Sequence, residues 1–216
     1  MADESLPEGR QLSDQYLAAL NFAGVKHRGQ ARKGTDIPYL GHLLIVSGIV
    51  IEAAGSEVQA TAALLHDVVE DQYVTEQEIL DEFGEDVAAI VMACSDAAPA
   101  PGESKLPWRQ RKEHHLARLQ SCGPEVLLVA AADKIHNCEA ILNDLELHQD
   151  DPVQVWNRFN ATPADIAWYY TSFLRTIMAN DVHPGVVARL RRGVTALAGH
   201  AAVAPMTALE GRPVVR

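Results

Sequence analysis

Apolar residues recur at helical spacing over most of the chain, and capping residues and breakers cut them into separate segments. Tyr16, Leu20, Ala23 and His27 lie near helical spacing in a segment from Ser13 to Arg28 that stops at Gly29. After a short basic loop, Pro38-Tyr39 leads into a second helix from about His42 to Ala54, closed by Gly55. Ser56 with Gln59 three residues on is a capping box, so a third helix starts there and carries His66 to Asp71 near its C-terminal end. Thr75 with Glu78 repeats that signal, and Gly84 separates two further short helices that end near Ser95. Pro99, Pro101, Gly102 and Pro107 make Asp96 to Pro107 the longest loop, and loops of this length often carry function. Helices follow from Trp108 to Gln120, from Pro124 to about His148, from Thr162-Pro163 through Ala179, and from Pro184 to Ala198. The pattern predicts an all-α fold, one helical bundle of about eight to ten helices. It would occupy residues 13–198, with an N-terminal tail at 1–12 and a flexible tail at 199–216. Residues beyond about Val153, including Trp156 and Phe159, read as a C-terminal helical extension.

Composition narrows the class. The 216 residues suit one domain that buries roughly 70% of its unfolded surface. Long β-branched runs flanked by hairpin turns are absent, which agrees with the helical pattern. A formal net charge of −11 argues against a nucleic-acid partner, which would demand a basic face. It leaves room for a small anionic substrate held by a local basic patch. Cys94, Cys122 and Cys138 form no CxxC pair and read as reduced thiols of a cytoplasmic protein. The acidic N-terminus is no signal peptide, and the apolar stretch from Leu43 to Ile51 is too short to span a membrane. A soluble cytoplasmic protein is expected, its oligomeric state open, a homo-oligomer included.

The run Ala-Ala-Leu-Leu-His66-Asp67-Val-Val-Glu70-Asp71 changes the picture most. Ionisable groups are rarely set against an apolar face unless they are paired or hold a metal. Residues four apart on a helix share a face, about 6 Å between β-carbons, which puts Glu70 above His66 and Asp71 above Asp67. His66 and Asp67 point about 100° apart, yet both can reach one cation between them. The next turn then aims two carboxylates at water bound to that cation, as ligand and base chemistry requires. Further ligands must come from elsewhere. Asp133 ends the apolar run Val126 to Ala132, and Asn137 lies one turn on, placed to bind substrate or orient a ligand. His42 opens the second helix and is the natural second imidazole. Two His and two Asp suit Mn²⁺, Fe²⁺ or Zn²⁺. Taken singly, His42 reads as a core or capping histidine, Asp133 as an ion-pair partner, and Glu70 with Asp71 as a solvated helix end. The combination is what points to a metal.

Lys26-His27-Arg28-Gly29-Gln30-Ala31-Arg32-Lys33-Gly34 packs four fixed positive charges without an acid, shortly before His42. Such a segment can hold phosphate oxygens, and an arginine can also stack on a base. Its plainer reading is a solvated helix end with cations at the C-terminus. Lys105, Arg109, Arg111 and Lys112 around Trp108 read as a second phosphate contact or a solvated helix face. His114-His115 reads as surface and Trp168-Tyr169-Tyr170 as core.

At these residues the chain resembles the HD-domain phosphohydrolases. Within them it is similar to the hydrolase domain of the RelA/SpoT proteins and to the small alarmone hydrolases, the Mesh1-like group. The resemblance covers roughly Leu17 to Asp144. It rests on His27-Arg-Gly-Gln-Ala-Arg32-Lys33, Pro38-Tyr39-x-x-His42, Leu65-His66-Asp67-x-x-Glu70-Asp71, Ser95-Asp96 and Ala132-Asp133-Lys134-x-His136-Asn137. It implies an all-helical fold and one Mn²⁺ held by His42, His66, Asp67 and Asp133. It assigns activation of the attacking water to Glu70 and Asp71, nucleotide contacts to Arg32 and Lys33, and a ribose or phosphate contact to Asn137. The implied reaction removes the 3′-pyrophosphate of (p)ppGpp and is part of the stringent response. Leu43 stands where many members have proline, and Cys138-Glu139-Ala140 replaces their basic and polar residues, so an adenine alarmone (ppApp) is also open. The alternatives are an HD phosphatase acting on another nucleotide such as NADPH, and a non-catalytic nucleotide-binding module.

Overall fold

The capping signals of the sequence reappear as helix ends in the computed structural model, which describes residues 11–95 and 106–204. Residues 1–10 of the expected N-terminal tail, residues 96–105 of the proline-rich loop with Asp96 and Lys105, and the tail beyond 204 lie outside the described residues. The helices are α1 (Asp14–Lys26), α2 (Leu40–Glu52), α3 (Glu57–Leu65), α4 (Val68–Gln72), α5 (Glu76–Phe83), α6 (Glu85–Cys94), α7 (Trp108–Leu119), α8 (Pro124–Leu147), α9 (Pro152–Trp156), α10 (Pro163–Met178) and α11 (Pro184–Ala202). Among the described residues the all-α expectation holds, with one isolated β-bridge between Ala31 and Pro38.

Both capping boxes form, Ser56 with Gln59 at α3 and Thr75 with Glu78 at α5. Ser13 caps α1 by accepting from Gln15 N–H, and its hydroxyl donates to Glu57 Oε1 at 2.5 Å, tying α1 to the start of α3. At the end of α2 the left-handed residue is Ala54 (φ 57°), one place before the closing Gly55. Gly55 is needed for closeness instead: a β-carbon there would meet Val50 Cγ1 at 2.7 Å and the Val50 carbonyl oxygen at 2.9 Å.

The largest departure concerns the third helix, which does not run on to Asp71. It stops at Leu65, and a separate five-residue α4 carries Glu70 and Asp71. The His66 carbonyl meets the Ser95 hydroxyl from the end of α6 at 3.2 Å. Asp67 bends to φ −104°, ψ −3°, and Tyr73 ends α4 in the left-handed region at φ 57°. The first bond of α4 runs from Asp71 N–H to the Asp67 carbonyl at 2.9 Å. The second unanticipated piece is α9, five residues opened by Pro152, too short for a period to show. At the other end α11 continues to Ala202, four residues past the expected stop at Ala198.

The chain falls into two units. The first holds α1 to α6 and residues 122–132, the opening of α8; Leu43, Val46, Leu64, Leu65, Ile79, Leu127 and Val129 are buried in it. Here α3, which ends at His66, packs on α1, α2 and α6. The second holds α7, the rest of α8, α9, α10 and α11, with α10 packed on α7 and α11. Trp156, Phe173, Ile177, Leu190 and Leu197 are buried there. In this unit Tyr169 and Tyr170 are buried as expected, but so is His115, whereas His114 is exposed. The His115 ring lies 6.2 Å from that of Tyr169, which makes it part of the core rather than the surface.

All three cysteines are free thiols. No described helix is long and apolar enough to cross a membrane.

Candidate metal centre and its surroundings

Asp67 Oδ2 is the oxygen on which the candidate centre converges. His66 Nε2 lies 3.0 Å from it and His42 Nε2 3.5 Å. The Tyr39 hydroxyl donates to the same oxygen at 2.6 Å. His42 comes from the first turn of α2, His66 from the end of α3, and Asp67 from the joint between α3 and α4. His42 and His66 are 1% and 3% exposed, and their rings meet edge to face with centroids 5.2 Å apart.

The tautomer of His66 follows from its neighbour. Its Nδ1 lies 2.8 Å from the Ala63 carbonyl oxygen, which can only accept, so Nδ1 carries the proton and Nε2 presents a lone pair. That lone pair faces the Asp67 carboxylate. Two electron-pair donors at 3.0 Å repel one another unless a proton or a metal ion lies between them. The backbone carbonyl behind the ring is the usual support for a metal-binding imidazole. The residues present therefore fit a cation.

Asp133 follows Ala132 directly in α8 and is 7% exposed. His42 and His66 each offer a ring nitrogen in the first unit, and Asp133, at the start of the second, offers a carboxylate oxygen. Within the first unit, two imidazole nitrogens and the Asp67 carboxylate already form the mixed set that borderline divalent ions take. Lys134 Nζ donates to Asp133 Oδ2 at 2.5 Å, and Asn137 Nδ2 donates to Oδ1. Burial opposes the charge on Lys134, but the Asp133 carboxylate overrides it and holds the ammonium well above its usual range. Asn137, one turn from Asp133, thus orients a candidate ligand carboxylate.

Glu70 and Asp71 are both half-buried on α4. Burial raises the Asp71 carboxyl above the ordinary range, against a hydrogen bond from Gln30 that lowers it. Gln30 Nε2 makes that bond to Asp71 Oδ2 at 2.7 Å. Gln30 Oε1 lies 2.6 Å from His27 Nδ1 and also accepts from Gln72 Nε2. His27 is 2% exposed, and burial lowers its pKa, so the ring is held neutral. It stacks on Tyr39 with centroids 5.2 Å apart.

The basic segment folds back on itself. Tyr39 N–H donates to the Gln30 carbonyl at 2.9 Å and Arg32 N–H to the Ile37 carbonyl at 2.8 Å. This brings the Arg32 guanidinium 5.7 Å from the centroid of Tyr39, whose hydroxyl reaches Asp67. Lys33 is exposed at the tip of the loop. Lys26, in contrast, turns to Glu78 at 3.4 Å. Of the other basic cluster, Arg109 is engaged locally: it lies over Trp168, 3.2 Å from the ring centroid, and bonds Glu113 and Asp165. Tyr39, Gln30 and His27 are the residues that sequence reasoning quoted without a role. Pro38-Tyr39 next to His42 was the available signal for the first; nothing in the spacing marked the pairing of the other two with Asp71.

Residues 19–166 match the protein family described as HD domain. The chain is 39% identical over 124 residues to the Guanosine-3′,5′-bis(diphosphate) 3′-pyrophosphohydrolase MESH1 of Xenopus tropicalis, covering 56% of this chain and 66% of that protein. It is 36% identical over 126 residues to the human protein of the same description, covering 57% of this chain and 67% of that one. The chain thus spans about two thirds of the length of these relatives. Among solved structures it is similar to one reported as a metazoan ortholog of SpoT that hydrolyzes ppGpp. The TM-score is 0.67 at 25% identity, over 89% of this chain and 97% of that one.

Proposed function

The chain belongs to the HD-domain family, and on that premise we infer that it is a metal-dependent hydrolase of alarmone nucleotides, releasing the 3′-pyrophosphate of ppGpp or a close analogue. The observation that carries this reading is the meeting of His42, His66 and Tyr39 on Asp67 Oδ2. Its substrate class follows the relatives, which are named for this reaction.

His42, His66, Asp67 and Asp133 would hold one divalent ion, for which we propose Mn²⁺, with Fe²⁺ or Zn²⁺ as the alternatives the donor set admits. When bound, such an ion acidifies water and offsets phosphate charge. The protein's own groups do the rest. Tyr39 and Asn137 hydrogen-bond the carboxylates of Asp67 and Asp133 and would keep them in place to hold the ion. Glu70 and Asp71 accept the proton of the attacking water, a task to which the raised carboxyl of Asp71 is suited at neutral pH. Arg32 and Lys33 hold the phosphate oxygens. For pyrophosphate to leave intact, water must add to the phosphorus on the 3′ oxygen. The bond between that oxygen and phosphorus then breaks, and the oxygen takes up the proton that the carboxylates accepted from water, which leaves a 3′-hydroxyl on the sugar. We place the reaction in the cytoplasm, in keeping with three cysteines that form no disulfide.

The test assays ppGpp, pppGpp and ppApp side by side with Mn²⁺, Fe²⁺ and Zn²⁺, scoring pyrophosphate. Turnover of one alarmone with a divalent ion supports the reading and names base and metal. Orthophosphate from NADPH with no pyrophosphate from any alarmone replaces it by a nucleotide phosphatase. Binding of an alarmone without turnover replaces it by a nucleotide-binding module.

A further inference from the structure

Gln30 lies between two buried groups and one carboxylate, and its contacts admit a single orientation of its amide. Oε1 faces His27 Nδ1 at 2.6 Å and also Gln72 Nε2. Nε2 faces Asp71 Oδ2 at 2.7 Å. Turning the amide over would set Nε2 against the amide nitrogen of Gln72 and Oε1 against an ionised carboxylate, two repulsive contacts in place of two bonds. The orientation in turn fixes His27: Nδ1 must donate to Oε1, so the ring is the Nδ1–H tautomer. His27 Nε2 is then a lone pair, buried and without a hydrogen-bond partner. The ring cannot swing away, because it is 2% exposed and stacked on Tyr39 at an interplanar angle of 16°.

We propose that Gln30, locked by His27 and Gln72, is the positioning residue that aims the Asp71 carboxylate in the hydrolytic step. The assignment rests on the reading of Asp71 as a proton acceptor. On the five-residue α4 the Asp71 side chain has little helix around it, so its direction depends on an outside contact. Gln30 supplies that contact from the segment that also carries Arg32 and Lys33. One Oδ2 lone-pair direction of Asp71 is taken by the amide N–H, which leaves Oδ1 to accept a proton. The chain of contacts runs His27 to Gln30 to Asp71, with Gln72 as a second clamp, and none of the three supporting residues needs to touch substrate.

The test compares Gln30→Leu, Asp71→Asn and the double variant, with turnover of ppGpp, metal content and thermal midpoint measured for each. Gln30→Leu is expected to lower kcat about 10- to 100-fold, as a misplaced catalytic group does, with KM within about twofold and metal content unchanged. In the Asp71→Asn background the same change should cost less than about threefold, because its target is gone. Equal losses in both backgrounds, or full activity of Gln30→Leu, would overturn the proposal. If Gln30→Leu does not fold, Gln30→Glu serves, since it keeps the acceptor for His27 and places a like charge on Asp71. Nitrogen-15 NMR of the histidine rings reads the clamp independently of activity. The expected result is the Nδ1–H tautomer at His27, and an Nε2–H ring there would also overturn it. Absence of alarmone turnover in the unaltered protein, with the NMR result as expected, would instead remove the functional reading and leave the clamp standing.

Discussion

The Tyr39 hydroxyl and the Asp67 carboxylate are joined by a 2.6 Å hydrogen bond, on the same oxygen that His66 Nε2 approaches to 3.0 Å. Tyr39 therefore restrains a candidate ligand from behind while its ring stays wedged between His27 and His42. Tyr39→Phe keeps the ring and removes the bond. Metal affinity should fall about tenfold, the lower end of the usual effect of losing a ligand's outer support. A metal titration by calorimetry measures it, and an unchanged affinity would show that Asp67 is held by other means.

Binding and proton transfer should separate by residue. Asp67→Ala is expected to lose both metal and turnover. Glu70→Ala is expected to keep the metal and lose about 10²- to 10⁴-fold in kcat, the range for a positioned general base. Metal analysis of both variants alongside kinetics decides, and unchanged rates in both would discard the enzyme reading.

His27 makes the metal-free protein sensitive to acid. Burial lowers its folded pKa below the ordinary 6.5, against the hydrogen bond that it donates to Gln30. Between the folded value and 6.5 the unfolded chain binds the proton and the folded one does not. Stability then rises with pH across that window, is fully present above it, and is lost as pH falls. Denaturant titrations from pH 7 to pH 5 should show a shallower decline for His27→Phe than for the unaltered protein. Parallel declines would mean that other groups carry the effect.

Gly55→Ala should destabilise the fold, although no positive φ is involved. The added β-carbon meets Val50 Cγ1 at 2.7 Å, the Val50 carbonyl at 2.9 Å and Leu128 Cδ2 at 3.1 Å. The carbonyl cannot retreat without losing the Gly55 N–H that it accepts at 2.9 Å. Overpacking of this kind costs about 1–3 kcal/mol. A lower denaturant midpoint with an unchanged slope is the expected reading.

Local signals made much of this structure legible in the sequence. Ser56-x-x-Gln59 and Thr75-x-x-Glu78 marked two helix starts because a capping box needs only residues three apart. The His-Asp pair with its two acids marked the centre because such a density of charge on an apolar segment is rarely idle. The joint at His66-Asp67 was hidden, since what ends α3 there involves the Ser95 hydroxyl from another helix, and no local breaker announces it. Ala54 and Tyr73 adopt left-handed backbone where glycine would be the local expectation. His115 was read as surface beside an exposed His114, because only packing against Tyr169 distinguishes the two.

The break between α3 and α4 has a consequence for how such a centre can change. In an uninterrupted helix every carboxylate direction is tied to the imidazole by a fixed angular step. Here the acids ride on a short separate rod, anchored at one end by the Asp67–Asp71 backbone bond and at the other by the turn at Tyr73. Altering either anchor would swivel Glu70 and Asp71 while His66 stays on the well-packed α3. Retuning this single segment would accommodate a new leaving group with both imidazoles left in place.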